Sequence, residues 1–103
     1  MASNQELRTR LIEATGYKNV YLQPPPNSQM VYPCVLVQRT SASIRRADNK
    51  AYNVRFRYTV TRISKKEDDG KFVKDCLENF ENCYYDRTYV AEGLYHDVLY
   101  IYS

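Results

Sequence analysis

The chain has 103 residues, 44% hydrophobic and 26% charged, with a formal net charge of +3. That length fits one domain, residues 1–103, with one modest core, and so mild a charge does not by itself indicate a nucleic-acid partner. No apolar stretch approaches the roughly 20 residues of a membrane span, and the N-terminal M-A-S-N-Q-E-L lacks the basic and apolar regions of a secretory signal, so neither a membrane partner nor export is expected.

Ser3 and Glu6 have the spacing of a capping box, which predicts a helix from about Gln5 to Ala14 with Leu7, Leu11 and Ala14 on one face. Gly16 is suited to end it in a left-handed conformation. Asn19 to Leu22 reads as a short strand, stopped by Pro24, Pro25 and Pro26, which favour an extended polyproline connection. Val31 and Cys34 to Val37 form an apolar run, predicting a strand buried on both sides with Pro33 at its start or on an edge. Thr40 to Lys50 is small, polar and basic, with a turn signal at Asp48-Asn49. It reads as a mobile loop that orders on assembly, with Ile44 as a local anchor or a partner contact.

Tyr52 to Ile63 carries the strongest pattern in the chain. Tyr52, Val54, Phe56, Tyr58 and Val60 alternate with Asn53, Arg55, Arg57, Thr59 and Thr61. Strand side chains alternate faces, so this is a long strand with one apolar face and one basic, polar face. Its length places it at the centre of a sheet. After a polar turn at Lys65 to Gly70, Asp68 or Asp69 can cap a second helix from about Lys71 to Asn79, with a stripe of Phe72, Val73, Cys76, Leu77 and Phe80. Cys83 to Val90 and Leu94 to Tyr102 read as two strands joined tightly at Ala91-Glu92-Gly93. The order predicts an α+β fold: a mainly antiparallel sheet of four to five strands with two helices packed on one face.

Catalytic chemistry finds little support. Cys34, Cys76 and Cys83 lack C-x-x-C spacing and fit buried apolar fillers in a reducing compartment. His96 is the sole histidine, and Asp97 beside it in a strand points to the other face. His96 shares parity with Leu94 and Val98 and is expected on the apolar side, bonded to a neighbour. With only three glycines and no nucleophile or phosphate-loop motif, no enzyme activity, cofactor or metal is expected.

Charge is segregated. Arg39, Arg45, Arg46, Lys50, Arg55, Arg57, Arg62, Lys65 and Lys66 face a single acid, Asp48, within their span, whereas acids collect from Glu67 to Asp97. Such a chain can pair with copies of itself, positive patch to negative patch. Eleven tyrosines and no tryptophan also suit an interface, although Tyr is equally a good strand former. Ile44, Arg45, Arg46, Lys50, Arg55 and Arg57 are therefore the candidate interface residues. A nucleic-acid platform would need exposed rings beside the basic groups, but Phe56 and Tyr58 lie opposite Arg55 and Arg57 in face. No stacking surface is expected.

Four segments carry a resemblance: Y-L-Q-P-P-P at Tyr21 to Pro26, M-V-Y-P-C-V-L-V at Met30 to Val37, A-D-N-K-A-Y at Ala47 to Tyr52, and D-R-T-Y-V-A-E-G-L-Y-H-D-V at Asp86 to Val98. With the strand Tyr52 to Ile63 they resemble the small tail terminator, or tail completion, proteins of long-tailed bacteriophages. The chain departs from that pattern at Ser64-Lys65-Lys66. The resemblance implies a homo-oligomeric ring, a hexamer in its working form, that sits on the last ring of the tail tube, ends polymerisation and joins the tail to the head connector. The partners it implies are the tail tube protein, the connector or stopper protein, and genomic DNA passing through the lumen without sequence-specific binding. It places the chain in the virion neck, and in the host cytoplasm during assembly. The alternatives are a head-completion or stopper protein of the neck and a small nucleic-acid-binding regulator.

Overall fold

The computed structural model describes residues 4–22, 31–47 and 50–102, with the side chains of residues 4 and 43–53 outside that description. Helix α1 spans Asn4–Thr15, and its apolar Leu7 and Leu11, one turn apart, are fully buried. It ends at Gly16, which takes φ +79° and donates its amide to the Ile12 carbonyl at 2.9 Å. Strand β1, Val20–Leu22, follows. Ser3 of the capping box, the Pro24 to Pro26 connection and the Asp48-Asn49 turn lie outside the described residues.

Strands β2, Cys34–Ala47, and β3, Lys50–Ser64, pair antiparallel along nearly their whole lengths. This corrects the loop reading of Thr40 to Lys50. The described part of that segment continues β2 to Ala47, and β3 begins at Lys50. A strand with small polar residues on both parities has no apolar rhythm, so its sequence resembles a loop. Val31 also departs from expectation. It precedes the strand and is exposed.

Helix α2 spans Lys71–Asn79. The Asp68 carboxylate accepts hydrogen bonds from the amides of Gly70 (3.1 Å) and Phe72 (2.9 Å), satisfying donors that a first helical turn leaves open. Phe72, Cys76 and Phe80 are buried and Val73 packs beside them, whereas Leu77 is exposed, contrary to its place in the predicted stripe. Strands β4, Cys83–Ala91, and β5, Leu94–Tyr102, close through Glu92 and Gly93. Both turn residues have positive φ, as a two-residue type I′ hairpin turn requires.

The sheet order is β1-β2-β3-β5-β4, with β3 central. Among the described residues β1–β2 pair parallel and the other pairings are antiparallel. Register sets Val60 opposite Val37 on one side and Leu99 on the other. These three line the face against which Leu7, Leu11, Phe72 and Cys76 pack, forming one core. The architecture is α+β, with both helices on one face of a mainly antiparallel sheet.

Candidate interaction surface

Arg62 is the charged residue most deeply placed in the core. It shares the helix-facing side of β3 with Tyr58 and Val60 and is 2% exposed. Its Nη1 donates to Asp97 Oδ2 at 2.7 Å, Nε to the Tyr17 hydroxyl at 2.8 Å, and Nη2 to the Lys66 carbonyl at 2.7 Å. Asp68 stands 3.5 Å from Nε, and Thr88 donates to Asp97 Oδ1 at 2.6 Å. Burial works against this charge, but the hydrogen bonds to Tyr17 and Asp97 outweigh it and hold the guanidinium above its ordinary pKa. The cluster ties β3, β4 and β5 to the loop after α1 and to the cap of α2. Every polar atom is engaged within the fold, so its role is structural. It also internalises part of the charge segregation read from the sequence, because Arg62 meets Asp68 and Asp97 of its own chain.

Among the described residues the opposite face of the sheet carries no helix. Here Arg57 and Thr59 of β3 stand across from Tyr102 and Tyr100 of β5, and Tyr84 of β4 stands across from Tyr100. The Arg57 guanidinium lies over the Tyr100 ring at 4.7 Å, and its Nε donates to Thr40 Oγ1 at 3.3 Å. Tyr84 meets Tyr102 edge-on at 5.8 Å, and Arg87 lies 5.3 Å over Tyr89. A groove of about 390 Å³ is lined by Arg55, Asn82, Tyr84, Tyr100 and Tyr102. Among the described residues neither Arg55 nor Arg57 has an acidic partner. The expectation of no stacking surface is thereby corrected. Phe56 and Tyr58 do point away from Arg57, but β5 and β4 bring four other tyrosines to its side. The parity of Tyr84, Tyr100 and Tyr102 was visible; the strand register that joins them to Arg57 was not.

Arg55 stands at the root of a second feature. Pairing of β3 with β5 begins at Arg57, so Lys50 to Phe56 pair only with β2. The two strands continue as a ribbon past the sheet, for roughly 20 Å at the usual rise per residue. Register shifts, which bend a ribbon, occur between Arg39 and Ser41 and between Arg45 and Arg46. The backbone register sets Ile44 opposite Val54, Arg45 opposite Asn53 and Arg46 opposite Ala51, with Lys50 opposite Ala47 as the last pair. The side chains of Ile44, Arg45, Arg46 and Lys50 lie outside the described residues. Of the six candidate interface residues, the fold thus brings four into the outer ribbon and sets Arg55 and Arg57 at its junction with the aromatic face.

The residues that invited a catalytic reading are placed as follows. Cys34, Cys76 and Cys83 are free and buried. Burial pushes all three thiols up, Cys83 to about 11, and the Cys76 thiol is raised further by Cys83 and Asp75. His96 is on the outer face, not among the apolar core, because Leu99, Ile101 and Asp97 occupy the helix side of β5. It is half-buried, stacked on Tyr89 at 4.6 Å, with Nδ1 3.0 Å from the Leu94 carbonyl. Among the described residues no group of three or more His, Cys, Asp or Glu could hold a metal ion, and no helix is long and apolar enough to cross a membrane. The chain matches no protein-family model, and no curated protein matches it significantly.

Proposed function

We propose that this chain is a structural subunit that assembles into a ring and acts as a terminator of a phage tail tube, ending polymerisation and joining tail to head connector. The observation that carries the proposal is the β2–β3 ribbon, which leaves the sheet and loses its third strand beyond Arg57. A two-stranded ribbon standing alone is marginal in water. A neighbouring subunit supplying a second layer would stabilise it. One ribbon reaching one neighbour is a head-to-tail contact, and such contacts close into rings when the rotation between subunits permits. The proposed ring is a hexamer, and its partners are the tube protein on one side and the connector or stopper on the other. The test is electron microscopy of the protein mixed with purified tail tubes. Density at one tube end supports a terminator; binding to connectors with bare tubes supports the stopper role; uniform coating of tubes, or no binding to either, contradicts both.

A second reading has its own observation. Arg57 over Tyr100 and Arg87 over Tyr89 place cations and rings on one open sheet face, the combination that single-stranded nucleic acids use for phosphate contact and base stacking. Binding of a fluorescent oligonucleotide across a salt series decides it. A steep loss of affinity with salt that is reduced in an Arg57→Glu variant supports nucleic-acid contact; absence of binding at low salt removes it.

A further inference from the structure

We propose that the ribbon of one subunit docks in the groove between α2 and β4 of the next copy, an inference that rests on the ring reading and assigns its contact. The groove has a volume of about 480 Å³ and is lined by Val73, Leu77 and Tyr85, with Glu67 and Glu78 among its polar residues. Leu77 is 44% and Tyr85 47% exposed, two large side chains facing each other across this groove. Val90 is exposed further along β4, which is an edge strand of the sheet. Lys74 also lines the groove and stands 3.9 Å from Glu78, an exposed pair that an incoming cation can displace at little cost.

Two observations choose the occupant. The first is charge complementarity. The far half of the ribbon reads I-R-R-A in β2 and K-A-Y in β3, three cations beside Ile44 and Tyr52, against the single acid Asp48 between the two strands in sequence. The groove offers apolar side chains flanked by Glu67 and Glu78. The second is direction. Asp97 and Thr88 of the groove lie level with Arg62, because Arg62 is paired to Asp97 and Asp97 to Thr88. The ribbon leaves at the other end of β3. Lys50 is therefore roughly 40 Å along the strand from the groove of its own chain at the usual rise per residue. The longest dimension of the molecule, 50 Å, accommodates that separation. Only another copy can bring them together, and the resulting contact is heterologous, as a ring needs.

Charge reversal with rescue tests this. Full-length Glu67→Lys/Glu78→Lys and Arg45→Glu/Arg46→Glu variants are compared with wild type by sedimentation across a concentration series, with thermal unfolding recorded for each. Each double reversal is expected to raise the concentration needed for assembly by roughly tenfold or more, since it sets like charges against each other. The quadruple variant is expected to return close to wild type. If wild type assembles and the reversals do not weaken it, or weaken it without rescue, the groove is not the docking site although the ring reading survives. If wild type forms no oligomer alone or with tail tubes, both fall. Should a ribbon variant fold poorly, Ile44→Cys chains mixed with Leu77→Cys chains decide, because the three native thiols are buried. A mixed disulfide dimer that neither chain forms alone supports docking, and its absence from assembled rings overturns it.

Discussion

On the helix side of β3, Arg62 is enclosed by Asp97, Tyr17, Asp68 and the Lys66 carbonyl. On the other side of the same strand, Arg57 rests on the Tyr100 ring and a threonine hydroxyl, with no acid beside it among the described residues. The difference is one of solvation. A guanidinium without water requires a partner for its charge and its donors, and those partners fix it as part of the fold. A guanidinium at the surface keeps its hydration, and its geometry is set only by the stacking below it. The same residue type is committed on one face and available on the other. The core under the helices explains why the chain folds, whereas the open outer face, the ribbon and the groove beside α2 are where a partner can act.

The largest expected effect breaks the committed side. Asp97→Ala strands the Arg62 charge in the core and should cost about 3–5 kcal/mol in urea unfolding. The double change Arg62→Met/Asp97→Leu should recover most of that loss, because it removes both charges. A single variant as stable as wild type would show that water reaches the cluster.

The next contrast compares side-chain replacements on the two faces. Leu99→Ala, in the fully buried core, is expected to cost about 2–5 kcal/mol. Surface replacements such as Thr59→Ala or Arg57→Ala should stay within about 0.5 kcal/mol. His96→Gln belongs near the lower figure, since His96 is on the outer face and not in the core. Equal losses on both faces would mean that the outer face is covered in the folded chain.

Much of this contrast was legible in the sequence. The alternation from Tyr52 to Ile63 located the central strand because one of its faces had to be apolar to meet the helices. The cap at Asp68 and the turn at Glu92-Gly93 were equally local signals. Arg62 was not legible. It continues the parity of Tyr58 and Val60, yet it counted with the basic block, because its partners Asp97 and Tyr17 are distant in sequence. The tyrosine platform stayed hidden for a related reason: strand register is decided by packing between segments, and no single segment records it. The β2 half of the ribbon reads as a loop because small polar residues fall on both parities, and a strand without apolar alternation lacks the rhythm that marks strands.

A smaller effect concerns pH. The thiols of Cys34, Cys76 and Cys83 are raised in the folded chain, so folding favours their protonated form. The sign follows directly. This contribution is fully present below the ordinary thiol range and is lost as pH rises toward about 11, the Cys83 value. Unfolding midpoints should therefore decline across that alkaline window, and less so in a Cys83→Ala chain. Thiol reagents at neutral pH should label the native protein slowly and the unfolded protein fully. Rapid labelling of the native chain would place a thiol at the surface.

The smallest expected change in stability accompanies the most direct test of the account. Arg55→Glu/Arg57→Glu alters the root of the ribbon and the open aromatic face while leaving the core untouched. Sedimentation velocity of this double variant, with its unfolding midpoint confirmed near wild type, separates folding from assembly. The account predicts that wild type forms rings and that the variant stays a folded monomer at the same concentrations. A variant that forms the same rings as wild type would contradict it.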